Sequence, residues 1–250
     1  MEYLNQSKDS HPNIDIWFYT DIVICGNMNG YKETEQFWND VFSEEKNGRD
    51  LNQSLSVEDI EEGIKWLSEG SGSIIDFGCG NGVVLLRAGY LCDSDLVGVD
   101  ISEKAVDSAE EIAEYNGLDD RSKFIRGGVS KLSQFEENEF DAGILSNIVD
   151  NLLPEDARKL LSEYHRIIQP DGRILLKLND YIDPEQLEEW GSEKIYDDFY
   201  KEETGLYFWN LADKDVDDLL SEYFIIEKKI DVEFKEHDQV NRMYYLKNKD

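Results

Sequence analysis

Residues 74–83 read IIDFGCGNGV, an apolar run that breaks into three glycines spaced two residues apart. The pattern predicts a buried strand followed by a tight turn, because glycine adopts the positive φ angles that other residues avoid. A second apolar run, residues 96–99, ends on Asp100, 18 residues after Gly82. In doubly wound sheets, an acid at the end of the neighbouring parallel strand binds the two hydroxyls of a ribose. The two motifs together predict a site for a nucleoside cofactor.

The glycine spacing distinguishes two kinds of nucleoside cofactor. A dinucleotide fingerprint, G-x-G-x-x-G, would need glycine or alanine at position 83, where this chain has Val83. Here the third glycine comes one residue early, and residues 76–82 read DFGCGNG. A nicotinamide-dependent oxidoreductase is therefore the less favoured interpretation.

The string DFGCGNG resembles the first motif of class I S-adenosylmethionine-dependent methyltransferases. The resemblance continues in the family's order through residues 99–101, 105–118, 140–147 and 165–178, and covers about residues 70–180. It implies an α/β fold with a doubly wound, seven-stranded, mostly parallel sheet of Rossmann-like topology and an antiparallel last strand. It also implies S-adenosyl-L-methionine as the cofactor.

The resemblance implies a cofactor site at the carboxyl ends of the strands. Its residues are Asp76, Gly78, Gly80, Asn81, Gly82, Asp100, Ile101, Gly128, Val129, Ser130, Ser146 and Asn147. Asp100 would hold the ribose, and Ile101 would pack on the adenine. Gly128 departs from the family pattern, since many members have an acid there for the adenine amino group. Groups at Gly128, Val129 and Ser130 are then expected to contact the adenine.

Strand-like and helix-like stretches alternate along the chain, which predicts parallel β-α-β units in one domain, residues 1–250. We divide it into an N-terminal lid (1–50), a cofactor-binding core (51–180), a substrate insertion (181–222) and a C-terminal strand pair (223–250). Within the core, Ser56 is expected to start a helix, and Pro170-Asp171-Gly172 to form the turn into the fifth strand. Lys177 is expected to be a surface lysine whose ammonium reaches solvent.

Composition limits the choice of partners and of compartment. Three cysteines without a C-x-x-C pair, and no apolar run of 18 residues, favour a cytoplasmic protein without a membrane anchor. The three histidines show no metal-ligand spacing, so no metal is expected. A net charge of −31 would repel nucleic acids and anionic membranes.

Aromatic residues concentrate in two segments, 17–42 and 181–209, which hold 15 of the 29 aromatic side chains. We expect these segments to cover a small-molecule acceptor, with a protein side chain as the other possible acceptor. The predicted substrate-binding residues are Tyr19, Tyr31, Trp38, Asp150 and Trp209. The equally weighted alternative is that the rings only pack the two segments against the sheet.

The sequence assigns no catalytic residue, because in-line methyl transfer depends mainly on alignment in a water-poor pocket. Residues that follow the fourth and fifth strands, among them Asp150 and Asn179, could act as a base or simply form turns. The predicted function is methyl transfer from S-adenosylmethionine to a small molecule. A non-catalytic protein that binds S-adenosylmethionine and regulates a partner is the alternative, and the oligomeric state stays open.

Overall fold

The computed structural model describes residues 30–43, 50–235 and 239–250. Its strands are β1 (Ser73–Phe77), β2 (Asp95–Asp100), β3 (Ser122–Arg126), β4 (Phe140–Ser146), β5 (Ile168–Asn179), β6 (Glu193–Tyr196), β7 (Phe199–Lys201), β8 (Tyr207–Trp209), β9 (Phe224–Phe234) and β10 (Gln239–Asn248). Seven of them form one sheet in the order β3-β2-β1-β4-β5-β10-β9. β10 runs antiparallel to both of its neighbours, β5 and β9, and the other neighbouring pairs in this sheet are parallel. The predicted fold class is confirmed.

Helices cover both faces of the large sheet. They are α1 (Lys32–Ser43), α2 (Glu58–Ser68), α3 (Val83–Leu91), α4 (Glu103–Tyr115), α5 (Pro154–Ile167), α6 (Pro184–Glu189) and α7 (Asp213–Leu220). One apolar cluster joins α1, α5 and α7 to the sheet, and a second joins α2 and α3 to its other face. Among the described residues, no helix combines the length and the apolar character that a membrane crossing requires.

The segment after β5 forms an addition at the carboxyl edge of the large sheet. Strands β6, β7 and β8 make a small antiparallel sheet in that order, preceded by α6 and followed by α7. Because this addition follows the carboxyl end of β5, it stands at the edge where the glycine turn also lies. Tyr207 of β8 meets Tyr31 with ring centroids 5.7 Å apart, so the addition contacts the segment that leads into α1.

Local sequence signals place several helix ends correctly. The Ser102 hydroxyl accepts a hydrogen bond from the Ala105 N–H at 3.1 Å and caps α4. Pro154 is the first residue of α5, and Gly117 follows α4 with φ 67°. The prediction for Ser56 was wrong, because α2 begins after Val57 and no side chain caps it.

The predicted turn before the fifth strand is instead an irregularity within β5. Phe140 pairs with Ile168 and Ala142 with Arg173, so β5 has three more residues than β4 between these two pairs. Asp171 takes up part of the surplus with φ 61°. The strand continues through this bulge because Ile168 keeps its partner on β4.

The prediction that Lys177 is a surface lysine was wrong. Only 5% of the residue is exposed, and its ammonium lies 5.4 Å from the centroid of the Phe234 ring. The reason is topological. β5 is an inner strand covered on both faces, so its side chains have no short path to solvent.

A buried ion pair joins α2 to α3. Arg87 donates to Glu61 through Nη2 at 2.6 Å and through Nε at 3.1 Å, and its Nη1 donates to the Leu51 carbonyl at 2.6 Å. Burial pushes the pKa of Glu61 upward, but hydrogen bonds from Arg87 and from the Leu55 N–H outweigh it, and the pKa lies below its ordinary value. The pair thus holds α2, α3 and the segment before α2 together.

Replacing Arg87 with methionine is expected to lower the free energy of unfolding by about 3–5 kcal/mol, because a buried carboxylate loses its charge partner. The double change Arg87→Met with Glu61→Met should recover most of that loss. Urea unfolding measures both, and Lys65→Met, at an exposed pair with Glu62, is the control. Equal losses in the single and double variants would contradict this account of the pair.

Candidate functional site

The glycine turn after β1 has a backbone that only glycine adopts easily. Gly78, Gly80 and Gly82 have φ angles of 76°, 52° and 72°. A Cβ atom at Gly82 would stand 3.0 Å from the Phe124 ring and 3.1 Å from the Cβ of Ala109. The turn is therefore packed closely from beneath, and it leads directly into the amino end of α3.

Asp100 connects this turn to the start of α4. Its Oδ2 accepts a hydrogen bond from the Gly80 N–H at 2.8 Å, and its Oδ1 accepts one from the Ser102 N–H at 2.8 Å. The residue is fully buried. Burial raises the pKa of Asp100 to about 7, although bonds from Ser102, Gly80 and Ile101 oppose the rise. The predicted ribose ligand thus lies beside the glycine turn.

Other predicted cofactor residues surround the same point. Asp76 is the second-last residue of β1 and is buried. Asn81 Oδ1 accepts a hydrogen bond from the Val83 N–H at 3.3 Å. Ile101 is buried in the apolar cluster that also contains Trp38 of α1. Ser146 is half-buried at the end of β4.

The predicted adenine segment follows β3 and lies against Asp100. The Gly127 N–H donates to the Asp100 carbonyl at 2.7 Å. Gly128 and Val129 are buried, whereas Ser130 is exposed in the short 3-10 helix that begins at Val129. Backbone groups at Gly128 and Val129 therefore lie close to Asp100, the predicted ribose ligand, whereas Ser130 is exposed.

A cluster of amide and charged side chains, which we call the polar cluster, lies beyond β4 and β5. Its members are Asn147, Asp150, Asn151, Asn179, Asn241 and Arg242, all buried except the half-buried Asn179. Asn147 has φ 45° and is held by its N–H to the Lys177 carbonyl at 2.7 Å. Its side chain contacts those of Asn179 at 3.2 Å and Asn241 at 3.1 Å. Such an outlier at the end of a strand is typical of functional sites.

Asp150 is the acid of the polar cluster. Its Oδ2 accepts hydrogen bonds from the Asn179 N–H at 2.8 Å and from Asn179 Nδ2 at 3.0 Å, and its Oδ1 accepts one from Asn151 Nδ2 at 3.1 Å. Burial raises the pKa of Asp150 to about 6, against the hydrogen bonds and the charge of Arg242. A carboxyl with this pKa changes charge close to neutral pH.

The predicted substrate residues occupy different environments. Tyr31 is buried, donates to Asp156 Oδ2 at 2.6 Å and accepts from the Leu153 N–H at 3.2 Å. Trp38 is buried against Phe37 and Phe42. Trp209 is half-buried, with the Arg158 guanidinium 5.4 Å from its ring centroid, and Tyr19 lies outside the described residues. In this structure Tyr31 and Trp38 pack the protein interior, and substrate contact stays a prediction.

Three residues that the sequence did not indicate complete the site. Arg242 donates to the Asn179 carbonyl at 2.8 and 3.0 Å and to the Leu211 carbonyl at 2.9 Å. Asn241 precedes it on β10, and Asn39 of α1 contacts Ser102. All three come from parts of the chain far from the motifs, so no spacing rule points to them. The local hint for Asn241 and Arg242 is the strand-like run of residues 240–246 in which they lie.

Residues 74–172 match the family model described as a methyltransferase domain. Over this range the chain has a methyltransferase domain. The matched range begins in β1 and includes the glycine turn, Asp100 and the polar-cluster residues up to Asn151. Within the ranges that the structure describes, no group of three acid, histidine or cysteine side chains could hold a metal ion.

Curated relatives of the methyltransferase domain act on different macromolecules according to their names. The ribosomal protein L11 methyltransferase of Thermotoga petrophila is 35% identical over 112 residues, 45% of this chain and 38% of that protein. The tRNA N(3)-methylcytidine methyltransferase of Schizosaccharomyces pombe is 24% identical over 204 residues, 79% of this chain and 66% of that protein. The chain thus spans about a third to two thirds of the length of these relatives.

Solved structures share the fold over more of the chain. The 1,6-didemethyltoxoflavin-N1-methyltransferase of Burkholderia thailandensis has a TM-score of 0.67 at 16% identity, covering 90% of this chain and 92% of that one. A S-adenosylmethionine-dependent methyltransferase from Methanosarcina mazei has a TM-score of 0.63 at 19% identity, covering 79% and 99%. At these identities the likeness establishes the methyltransferase fold.

Replacing Asp100 with asparagine is expected to change how stability depends on pH. The pKa of Asp100 is about 7 in the folded protein against 3.8 as its ordinary value, so folding favours the protonated form. The wild type therefore loses stability through this group as pH rises from about 4 to 7, by at most about 1.4 kcal/mol per pH unit. Asparagine does not titrate, so the variant's stability relative to wild type should rise across that range.

Urea unfolding of both proteins at several pH values between 4 and 8 measures this difference. The subtraction removes the effects of the other acids, which both proteins share. A constant difference across the range would show that Asp100 titrates in the folded state as it does in the unfolded chain.

Proposed function

We propose that the protein transfers a methyl group from S-adenosylmethionine to a small organic acceptor. The observation that carries the proposal is the position of Asp100, whose two oxygens meet the glycine turn and the start of α4 at one edge of the sheet. In doubly wound folds, ligands bind at the carboxyl ends of the strands, and this edge is formed by the ends of β1, β2 and β4.

The residues present fit such a cofactor. Residues 78–82, GCGNG, place the third glycine one residue earlier than the G-x-G-x-x-G pattern of turns that bind a pyrophosphate. Their positive φ angles allow close approach of main-chain groups, and the amino end of α3 favours a carboxylate. Asp76, Asp100 and Asp150 supply acids that suit a ligand with cationic groups.

Each group then has a defined task. Bound S-adenosylmethionine would supply an electrophilic methyl group on a positively charged sulfur. Asp100 would accept hydrogen bonds from the ribose hydroxyls, and Ile101 would pack against the adenine. Asn147, fixed by Asn179 and Asn241, would form the wall beside the methyl group. α1 and β8 would exclude water, which favours displacement over side reactions.

The enclosure of the site favours a compact acceptor. Tyr31 connects α1 to α5 through Asp156 and touches the added sheet through Tyr207, so the covering elements form a closed frame. The structural neighbour from Burkholderia holds bound 1,6-didemethyltoxoflavin, a small molecule, with S-adenosylhomocysteine. A net charge of −31 opposes the tRNA that one relative's name indicates.

Asp150 is our candidate for the group that receives a proton from the acceptor. Its pKa of about 6 leaves it mainly ionised at neutral pH while it is still basic enough to accept a proton. Two hydrogen bonds from Asn179 fix Oδ2, and Oδ1 accepts a hydrogen bond from Asn151 Nδ2.

Isothermal titration is expected to show binding of both S-adenosylmethionine and S-adenosylhomocysteine. Asp100→Ala should weaken both by about 100-fold, since it removes two hydrogen bonds to a charged group. Asp95→Ala is the matched control, because Asp95 lies exposed at the other end of the same strand. An equal loss in both variants would mean that Asp100 supports only the fold.

A labelled-methyl assay with small-molecule, protein and RNA fractions of an extract then identifies the acceptor class. Label in the small-molecule fraction supports the proposal. Label in the protein or RNA fraction alone would show that the acceptor is a macromolecule and would overturn the proposed acceptor class. Tight cofactor binding without label in any fraction would favour a non-catalytic, regulatory protein.

Replacing Asp150 with asparagine is expected to remove a limb from the pH profile. In the wild type, kcat/KM for the acceptor should rise with pH through about 6 as Asp150 ionises, and the variant should lack this rise. The affinity for S-adenosylhomocysteine should change little, which shows that the site is still formed. If kcat/KM of the variant rose with pH through about 6 as in the wild type, Asp150 would be excluded as the proton acceptor.

A further inference from the structure

Helix α1 is tied to the residues that hold Asp100. Asn39 Oδ1 accepts hydrogen bonds from Ser102 Oγ at 2.8 Å and from the Lys104 N–H at 3.3 Å. One turn earlier, Glu35 forms an ion pair of 2.5 Å with Arg126, the last residue of β3. α1 therefore lies across the carboxyl ends of β2 and β3, above the start of α4.

Ser102 joins Asn39 to Asp100 through its hydroxyl and its backbone N–H. The hydroxyl donates to Asn39 and accepts from the Ala105 N–H. The backbone N–H donates to Asp100 Oδ1, and Asp100 Oδ2 accepts from the Gly80 N–H. A continuous hydrogen-bonded path thus runs from α1 to the glycine turn.

The part of this path at Ser102 and Asp100 is closed to solvent, whereas Asn39 is half-buried. Asp100 and Ser102 both have 0% exposure, although Asp100 is the proposed ribose ligand. The buried face of α1, with Trp38 and Phe42, belongs to the same apolar cluster as Ile101. A ribose can therefore reach Asp100 only when groups above it move. α1 is the element that covers this point and is also bonded to it.

We propose that Asn39 is a positioning residue that couples the docking of α1 to the geometry of Asp100. The inference rests on the proposed function, because it takes Asp100 as the ribose ligand. With α1 docked, Asn39 fixes the Ser102 hydroxyl, and the adjacent N–H fixes Asp100. When α1 leaves, the Ser102 hydroxyl loses its acceptor and Asp100 becomes accessible. Docking of α1 over the bound nucleoside restores the whole path.

The first turn of α1 contacts the small added sheet, which we place beside the acceptor. Glu33 forms an ion pair of 2.7 Å with Lys201 of β7, and the Thr34 hydroxyl donates to the Gly205 carbonyl at 3.0 Å. The same helix is thus tied to Asp100 through Ser102 and contacts the added sheet directly. Movement of α1 opens both halves of the site together.

Hydrogen exchange of the protein alone tests the coupling without any ligand. In Asn39→Ala, the Ser102 amide should exchange about tenfold faster than in wild type, the change expected for loss of one buried hydrogen bond. Asn39→Asp should restore slow exchange, because a carboxylate accepts the same two bonds and suits the amino end of α4. Faster exchange confined to α1, with Ser102 unchanged, would overturn the proposal.

Gln36→Ala is the matched control. Gln36 is exposed on the same helix and donates only to Asp40, at 2.8 Å, so its loss weakens α1 locally without touching the path. The Ser102 amide should exchange at the wild-type rate in this variant. The same acceleration in Gln36→Ala as in Asn39→Ala would overturn the role of Asn39.

Stopped-flow binding of S-adenosylhomocysteine gives a second, kinetic readout. Because α1 limits access in both directions, Asn39→Ala should raise the association and dissociation rates together, each by several-fold, with a smaller change in Kd. Slower or unchanged association would overturn the proposal. If the wild type bound no S-adenosylhomocysteine, the proposed function would fail, while the exchange experiment would still decide whether Asn39 couples α1 to Asp100.

Discussion

The carboxylate of Asp100 accepts hydrogen bonds from two backbone amides that belong to different loops, those of Gly80 and Ser102. The Asp100 side chain thereby connects the turn between β1 and α3 to the turn between β2 and α4. The group is fully buried, so its bonds act in a medium of low dielectric constant, where each is stronger than in water. The same burial makes the charge costly, which is why the pKa rises to about 7. The geometry of the glycine turn and the start of α4 depends on this one acid.

The polar cluster stabilises the other half of the edge in a different way. No single group anchors it, and four asparagines share donors and acceptors around Asp150, with Arg242 joining β10 to the end of β5. Such a network fixes side chains without placing a full charge at each position. The edge of the sheet thus has one buried acid shared by two backbone amides at the glycine turn, and a second buried acid held by a network of amide side chains beyond β4 and β5.

Local rules were enough to predict the sheet and half of the site. Glycines with positive φ, the Ser102 cap and an acid at the end of β2 each act within a few residues, so the sequence shows them directly. Long-range contacts were not predictable in this way. Tyr31 and Asp156 lie 125 positions apart, and Asn241 meets Asn147 across 94. Lys177 was misjudged because its burial depends on β10 and β9, which cover β5 on the side away from β4.

Strand β10 follows β9 in the chain but lies between β5 and β9 in the sheet. During synthesis on the ribosome, β9 therefore emerges with no neighbour to pair with, and it must wait until β10 has been made. Asn241 and Arg242 arrive with that strand, so Asn147 and Asn179 gain their last partners only then. A nascent chain that ends before β10 would have the glycine turn but an incomplete polar cluster. Vectorial synthesis thus delays completion of the polar cluster until the sheet itself is complete.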